Sequence, residues 1–230
     1  MKRIGIVGGL SPESTIEYYR FIIEGYRQKT KDDGAPEIII YSLNVKQSLE
    51  MMEKKQWVAY VEWIASAVGH LADAGADFAL IAANTPHMFF YEVKSVSPIP
   101  LLSIVEETAD MATGFGLRKV GLLGTKCTMQ SDYYQKVLER SGISVVVPLE
   151  DEQKYIHEKL LSELQFGRIV GSTRDRLLEI VQRLISTESL DGVILGCTEL
   201  PLILIHDEFG IPFLNTTRIH AESAVRYSLS

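Results

Sequence analysis

The sequence predicts an α/β protein built from two pseudo-symmetric halves, each a parallel sheet covered by helices. Two observations carry this. Strand-length apolar runs alternate with helix-length amphipathic segments, the pattern of parallel sheets buried on both faces. The chain also repeats itself. Gly5-Ile6-Val7-Gly8 returns as Gly121-Leu122-Leu123-Gly124, Ala76–Ala83 as Leu190–Cys197, and Ile99-Pro100-Leu101-Leu102 as Ile211-Pro212-Phe213-Leu214, at offsets of 116, 114 and 112 residues. A Tyr-Tyr pair follows the first strand of each half, Tyr18-Tyr19 and Tyr133-Tyr134. Three matches in one order point to duplication.

Strands are expected at Arg3–Val7, Glu37–Leu43, Asp77–Ala82, Leu101–Leu102, Lys119–Leu123, Val145–Val147, Gly192–Leu195 and Pro212–Leu214. Helices are expected at Pro12–Gln28, Trp57–Ala74, Val105–Thr113, Ser131–Arg140, Gln153–Phe166, Arg174–Ser186 and Arg218–Tyr227. The first half comprises residues 1–103 with 215–230, the second 104–214. Ligands of parallel α/β sheets sit beyond the carboxyl ends of the strands. In a duplicated chain both sets of loops then line one cleft, with the active site between the halves. Those loops are Gly8–Thr15, Asn44–Ser48, Ala83–His87, Gly124–Thr128 and Cys197–Pro201.

The 230 residues are enough for two small units, and an apolar fraction of 46% supplies a core. No apolar run reaches the roughly 18 residues of a membrane span. The polar Ser11-Pro12-Glu13 comes too soon for a secretory signal, so a cytoplasmic protein without membrane contact is expected. A net charge of −7 with no Lys/Arg cluster argues against nucleic-acid binding. The two cysteines are far apart and form neither a disulfide framework nor a zinc pattern.

Cys197 ends the apolar strand of Val193-Ile194-Leu195-Gly196. A thiol at the start of a helix has its pKa lowered by peptide dipoles, which makes it a usable acid/base. A small buried residue closing a core strand is the alternative. In the matching loop, Asn84 and Thr85 either donate to a carboxylate or cap the next helix. His87 is an acid/base candidate or a capping residue. Cys127 lines the cleft by pseudo-symmetry or is structural. The opening loop can cradle an anion on its amides, but it is not G-x-G-x-x-G. P-loop and G-x-S-x-G motifs and metal-ligand spacings are missing.

Three motifs resemble the aspartate/glutamate racemase superfamily, most closely its aspartate racemase branch. Gly8-Gly9-Leu10-Ser11-Pro12-Glu13-Ser14-Thr15 is similar to the N-terminal loop of that family. Asn84-Thr85-Pro86-His87 is similar to its first catalytic loop, and Gly196-Cys197-Thr198-Glu199-Leu200 to its second. Gly124-Thr125, Thr128-Met129 and Ile219-His220-Ala221-Glu222 extend the likeness over the whole chain. The resemblance implies two α/β domains, no pyridoxal phosphate and no metal, a small acidic amino acid as substrate, and a possible homodimer. It also implies two residues, usually cysteines, flanking the substrate α-carbon, one removing the proton and the other returning one to the opposite face. Cys197 is the second. The first belongs just before Asn84, where this chain carries Ala83, and a methyl group transfers no proton.

The expected site therefore has Cys197 as one acid/base. Asn84, Thr85 and Thr198 hold the α-carboxylate, and Leu10 and Ser11 close over the substrate. Gln47 meets the side-chain carboxylate, while Glu199 orients the ammonium or starts its helix. Ala83 and Thr128 line the site. Near Tyr155, where the family's aspartate specificity uses a cation, Lys154 or His157 stands in. Thr85, His87 or water is left to serve the Ala83 face. A single-cysteine decarboxylase or cis-trans isomerase of the superfamily, or a ligand-binding relative without catalysis, are the alternatives.

Overall fold

The computed structural model describes all residues, 1–230. The chain divides into two compact units, Met1–Ile104 with Thr217–Ser230, and Val105–Thr216.

In the first unit, β1 (Ile4–Gly8), β2 (Ile38–Ser42), β3 (Phe78–Ile81) and β4 (Leu101–Leu102) form a wholly parallel sheet in the order β2-β1-β3-β4. The helices are α1 (Pro12–Thr30), α2 (Val45–Glu53), α3 (Trp57–Asp73) and α4 (Phe90–Val96). Successive side chains of a strand point to opposite faces. Ile4 and Ile6 of β1 and Phe78 and Leu80 of β3 pack with Tyr18 and Ile22 of α1. Val7, Ala79 and Ile81 pack on the other face with Ile64, Val68 and Leu71 of α3. Both faces of β1 and β3 are covered, so these strands read as continuous apolar runs, while edge strand β2 stays partly exposed.

The second unit repeats the topology with β5 (Lys119–Gly124), β6 (Ser144–Val146), β7 (Gly192–Gly196) and β8 (Phe213–Asn215), parallel in the order β6-β5-β7-β8. Its helices are α6 (Lys126–Gln130), α7 (Tyr133–Glu139), α8 (Glu150–Ser162), α9 (Gly171–Glu188) and α10 (Leu200–Ile203). Ile156 and Leu160 of α8 pack with Leu177, Ile180 and Leu184 of α9 against Leu123, Val193 and Leu195.

The remaining helices are exchanged between the units. β4 runs into α5 (Ile104–Gly114), which from Val105 onward belongs to the second unit. β8 runs into α11 (Thr216–Leu229), which from Thr217 onward belongs to the first. There Ala221, Ala224 and Val225 close the layer beside Ile4, Ile6 and Ile22.

Every expected strand is present, with ends shifted by one residue at most. The short helices α2, α4, α6 and α10 are additions to the reading from sequence. The stretch after β2, expected as a loop, is helical from Val45. Asn44 starts it by accepting the Lys46 N–H on its side-chain oxygen at 2.9 Å. Helices of nine residues or fewer carry too few apolar repeats for a periodicity to emerge. The Tyr-Tyr match also shifts by one residue. Tyr18 and Tyr134 are each fully buried, whereas Tyr19 is exposed. Tyr18 therefore corresponds to Tyr134, at the same 116-residue offset as Gly8 and Gly124.

Candidate active site

In the first unit the opening loop leaves β1 at Gly9, which has φ +78°; a Cβ there would lie 2.1 Å from the Leu43 carbonyl oxygen. Only glycine fits this position. The Gly9 N–H donates to Thr15 Oγ1 at 2.9 Å. Ser11 is the N-cap of α1, its hydroxyl accepting the Ser14 N–H. Ser14 in turn donates to the Ala82 carbonyl at 2.8 Å, tying the opening loop to the end of β3. Leu10 packs at the margin of the α3-side core. Gln47 is exposed on α2 rather than on a loop.

After β3 the chain folds tightly, with the Ala83 N–H donating back to the Ile81 carbonyl at 2.9 Å. Ala83 and Thr85 are partly buried and Asn84 is 5% exposed. Thr85 opens a 3-10 turn, Thr85–Phe89, that the Asn84 side chain does not cap. His87 is not poised for proton transfer. It is buried, with Nδ1 2.9 Å from the Ala83 carbonyl and Nε2 3.2 Å from the Ile104 N–H. The carbonyl requires a donor at Nδ1, and the amide requires an acceptor at Nε2. These contacts fix one neutral tautomer, and burial lowers the pKa of His87 to about 4. The ring stacks on Phe90 and meets His220 edge-on. His220 bridges Tyr18 and the Leu102 carbonyl. These histidines brace the loop from behind.

In the second unit the loop after β5 is capped by Thr125, whose hydroxyl accepts the Thr128 N–H and lies 3.2 Å from the Thr128 hydroxyl. Thr128 is fully buried and also hydrogen-bonds Tyr133. Its methyl occupies the space beside Gly124 and Gly196. It shapes the loop from inside. Cys127 is partly buried, and burial raises its pKa. The structure brings His157 of α8 to this loop, where Nδ1 accepts the Lys126 N–H at 3.4 Å. Burial, and then the Lys126 charge, lowers the pKa of His157. Lys154 is exposed and pairs with Glu158 at 3.9 Å, and Tyr155 packs at the edge of the core. Sequence spacing within α8 did not show that His157 meets the β5 loop.

β7 ends at Gly196, and Cys197 follows in a bend, partly buried. Its Sγ donates to Glu199 Oε2 at 2.8 Å, and Thr198 Oγ1 donates to the same oxygen at 2.8 Å. Glu199 is 7% exposed. The expected lowering of the thiol pKa is overturned. Burial, then the Glu199 charge and hydrogen bond, push Cys197 well above the ordinary thiol value. The backbone N–H groups of Glu199 and Thr198 pull the other way more weakly. The helix meant to supply the dipole, α10, starts at Leu200 and has 4 residues. A helix of about one turn has little macrodipole to offer.

A carboxylate and a thiol in hydrogen contact at a strand's carboxyl end can pass a proton to and from a carbon acid. No group of three or more His, Cys, Asp or Glu side chains is placed to hold a metal ion. No helix is long and apolar enough to cross a membrane. Residues 7–224 match the Asp/Glu/hydantoin racemase family, and the chain belongs to it. It is similar to the broad-specificity amino-acid racemase RacX of Bacillus subtilis, 28% identical over 96% of both chains. Among solved structures it is similar to an aspartate racemase homologue from Pyrococcus horikoshii, with 36% identity and a TM-score of 0.89 over the full length of both chains. A Yersinia pestis protein assigned as an Asp/Glu racemase superposes with a TM-score of 0.91 at 31% identity, again over both full lengths.

Proposed function

We propose that the chain racemises a small acidic amino acid, aspartate or glutamate, by removing and returning the α-proton with Cys197 as one acid/base. The observation that carries this is the Cys197 thiol at the end of β7, held on a carboxylate at 2.8 Å. Membership of the racemase family supports it. Asn84, Thr85 and Thr198 hold the α-carboxylate, where hydrogen bonds also stabilise the charge that develops on proton loss. Leu10 and Ser11 close over the substrate, and Gln47 meets its side chain. Of the two expected stand-ins near Tyr155, Lys154 is the one cation on offer, since His157 accepts the Lys126 N–H on Nδ1 and burial disfavours its charged form. The protein acts without pyridoxal phosphate.

A second reading is favoured by one specific pair of observations. Ala83 carries no transferable proton, and both ring nitrogens of His87 are engaged. A chain with protonation from one face only fits a superfamily decarboxylase or cis-trans isomerase. One experiment separates the readings. Each enantiomer of aspartate, glutamate and a set of neutral amino acids is incubated in D2O, with the α-proton followed by NMR and chirality by chromatography. Exchange with inversion is the expected result. Exchange with retention selects the one-sided chemistry, and no exchange with any amino acid rejects racemisation.

A further inference from the structure

We infer that Lys126, just beyond β5, and His157 of α8 form the subsite for the side-chain carboxylate of an acidic amino-acid substrate, the ammonium supplying the charge and the imidazole a neutral N–H donor. The inference rests on the acidic-substrate reading above and names the residues that make that choice. The topology of the second unit puts the pair beside the thiol. Gly124 and Gly196 are register partners at the carboxyl ends of β5 and β7. Strands paired in this way lie about 4.8 Å apart. Lys126 follows the first glycine by two residues, and Cys197 follows the second by one. The Thr128 methyl lies against both glycines and joins the two loops. Ligands of a parallel sheet gather at this end.

An anionic side chain held there needs a positive partner. Of residues 125–132, 147–149 and 197–199, which follow β5, β6 and β7, Lys126 is the one cation. It is exposed and forms no salt bridge, whereas Lys154 and Lys159 of α8 pair with Glu158 and Glu163. His157 adds direction to this charge. Its Nδ1 accepts the Lys126 N–H at 3.4 Å, so the hydrogen of the neutral ring sits on Nε2. Burial, and then the Lys126 charge, keep the ring neutral. A protonated ring would repel Lys126, whereas a neutral one offers its N–H to the anion that the ammonium attracts. The charges acting on the ring are Lys126, on the β5 loop, and Glu158, on its own helix. A carboxylate arriving between Lys126 and the ring adds negative charge, which raises the pKa of His157.

The test titrates the full chain with succinate, a dicarboxylate that has no α-proton centre to invert, and with propionate, which lacks the second carboxylate. Imidazole nitrogen NMR follows His157, its signals assigned by their loss in His157→Gln. The expected spectrum is that of the Nε2–H tautomer, and succinate is expected to raise the His157 pKa while propionate leaves it in place. Lys126→Gln is expected to weaken succinate binding by about tenfold, the worth of one charge-assisted contact, and propionate binding by less. His157→Gln keeps an acceptor for the Lys126 N–H and is expected to weaken succinate in the same selective way. The Nδ1–H tautomer overturns the subsite. So does a His157 signal that succinate leaves unmoved, or a Lys126→Gln chain that loses nothing or loses both ligands equally. Neither probe turns over, so the subsite can fail while α-proton exchange proceeds, and it can stand where exchange is absent.

Discussion

The loops after β3 and β7 occupy the same place in two copies of one topology, third strand along in spatial order, yet they spend their titratable groups in opposite ways. After β7 the thiol of Cys197 is partly exposed and points its proton at a carboxylate. After β3 the corresponding position is a methyl group, and His87 is turned inward. The comparison teaches that the two copies share one scaffold and differ in which titratable side chains stand at the ends of their third strands. His87 closes a hydrogen-bonded circuit from Ala83 to Ile104 and so holds its loop in shape. Glu199 instead accepts hydrogen bonds from Cys197 and Thr198 on a single oxygen.

The sharpest way to break this asymmetry is to remove the reactive atom. Cys197→Ala is expected to cut α-proton exchange by about 10²–10⁴, the usual worth of a general acid/base, with circular dichroism unchanged. Exchange at the wild-type rate in that variant would remove Cys197 from the mechanism. The converse test restores symmetry. Ala83→Cys is expected to raise inversion relative to exchange by about tenfold or more, since a second thiol supplies the missing face. A folded variant with an unchanged ratio would show that another group already serves that face.

His87 sharpens the comparison through stability. His87→Gln leaves the Ala83 carbonyl and the Ile104 N–H poorly partnered, which costs about 1–3 kcal/mol in urea unfolding at pH 7. The pH dependence has a defined sign. Burial holds the folded-state pKa of His87 at about 4, below the ordinary histidine value of 6.5. Its contribution to stability is therefore complete above 6.5 and is lost as pH falls toward 4. Between pH 7 and 5 the wild type should lose about 2 kcal/mol more than the variant. Parallel losses would mean that His87 is already charged in the fold.

The smallest expected effect separates the two strand-ending glycines. A Cβ on Gly8 meets the side chain of Thr15 at 2.6 Å, while one on Gly124 meets the Gly196 carbonyl at 2.9 Å. Overpacking of this kind costs about 1–3 kcal/mol. Gly124→Ala should cost the more, because backbone cannot rotate aside. Thermal melts that rank them the other way would show the β5 end to be the more yielding.

The architecture was legible because it rests on local pattern. Continuous apolar runs such as Phe78–Ile81 and Val193–Leu195 fix strands wherever both faces are covered, and the repeated segments fix the duplication. The Cys197 loop was legible as well, since Gly196-Cys197-Thr198-Glu199 puts a thiol where a strand must end. What stayed hidden depends on contacts far apart in sequence. Nothing near His87 announces that Ile104 will donate to it, and nothing in α8 announces that His157 will meet Lys126. The direction of the Cys197 pKa was hidden for a subtler reason. Motif reading supplied a helix dipole, whereas folding supplied burial and a side-chain carboxylate two residues away. By itself, the sequence determined the two parallel sheets, their order in the chain and the residues at the strand ends. Tertiary structure decided which helix completes which unit and which side chains at those ends are free to act, because burial and hydrogen-bond partners exist only once distant segments meet.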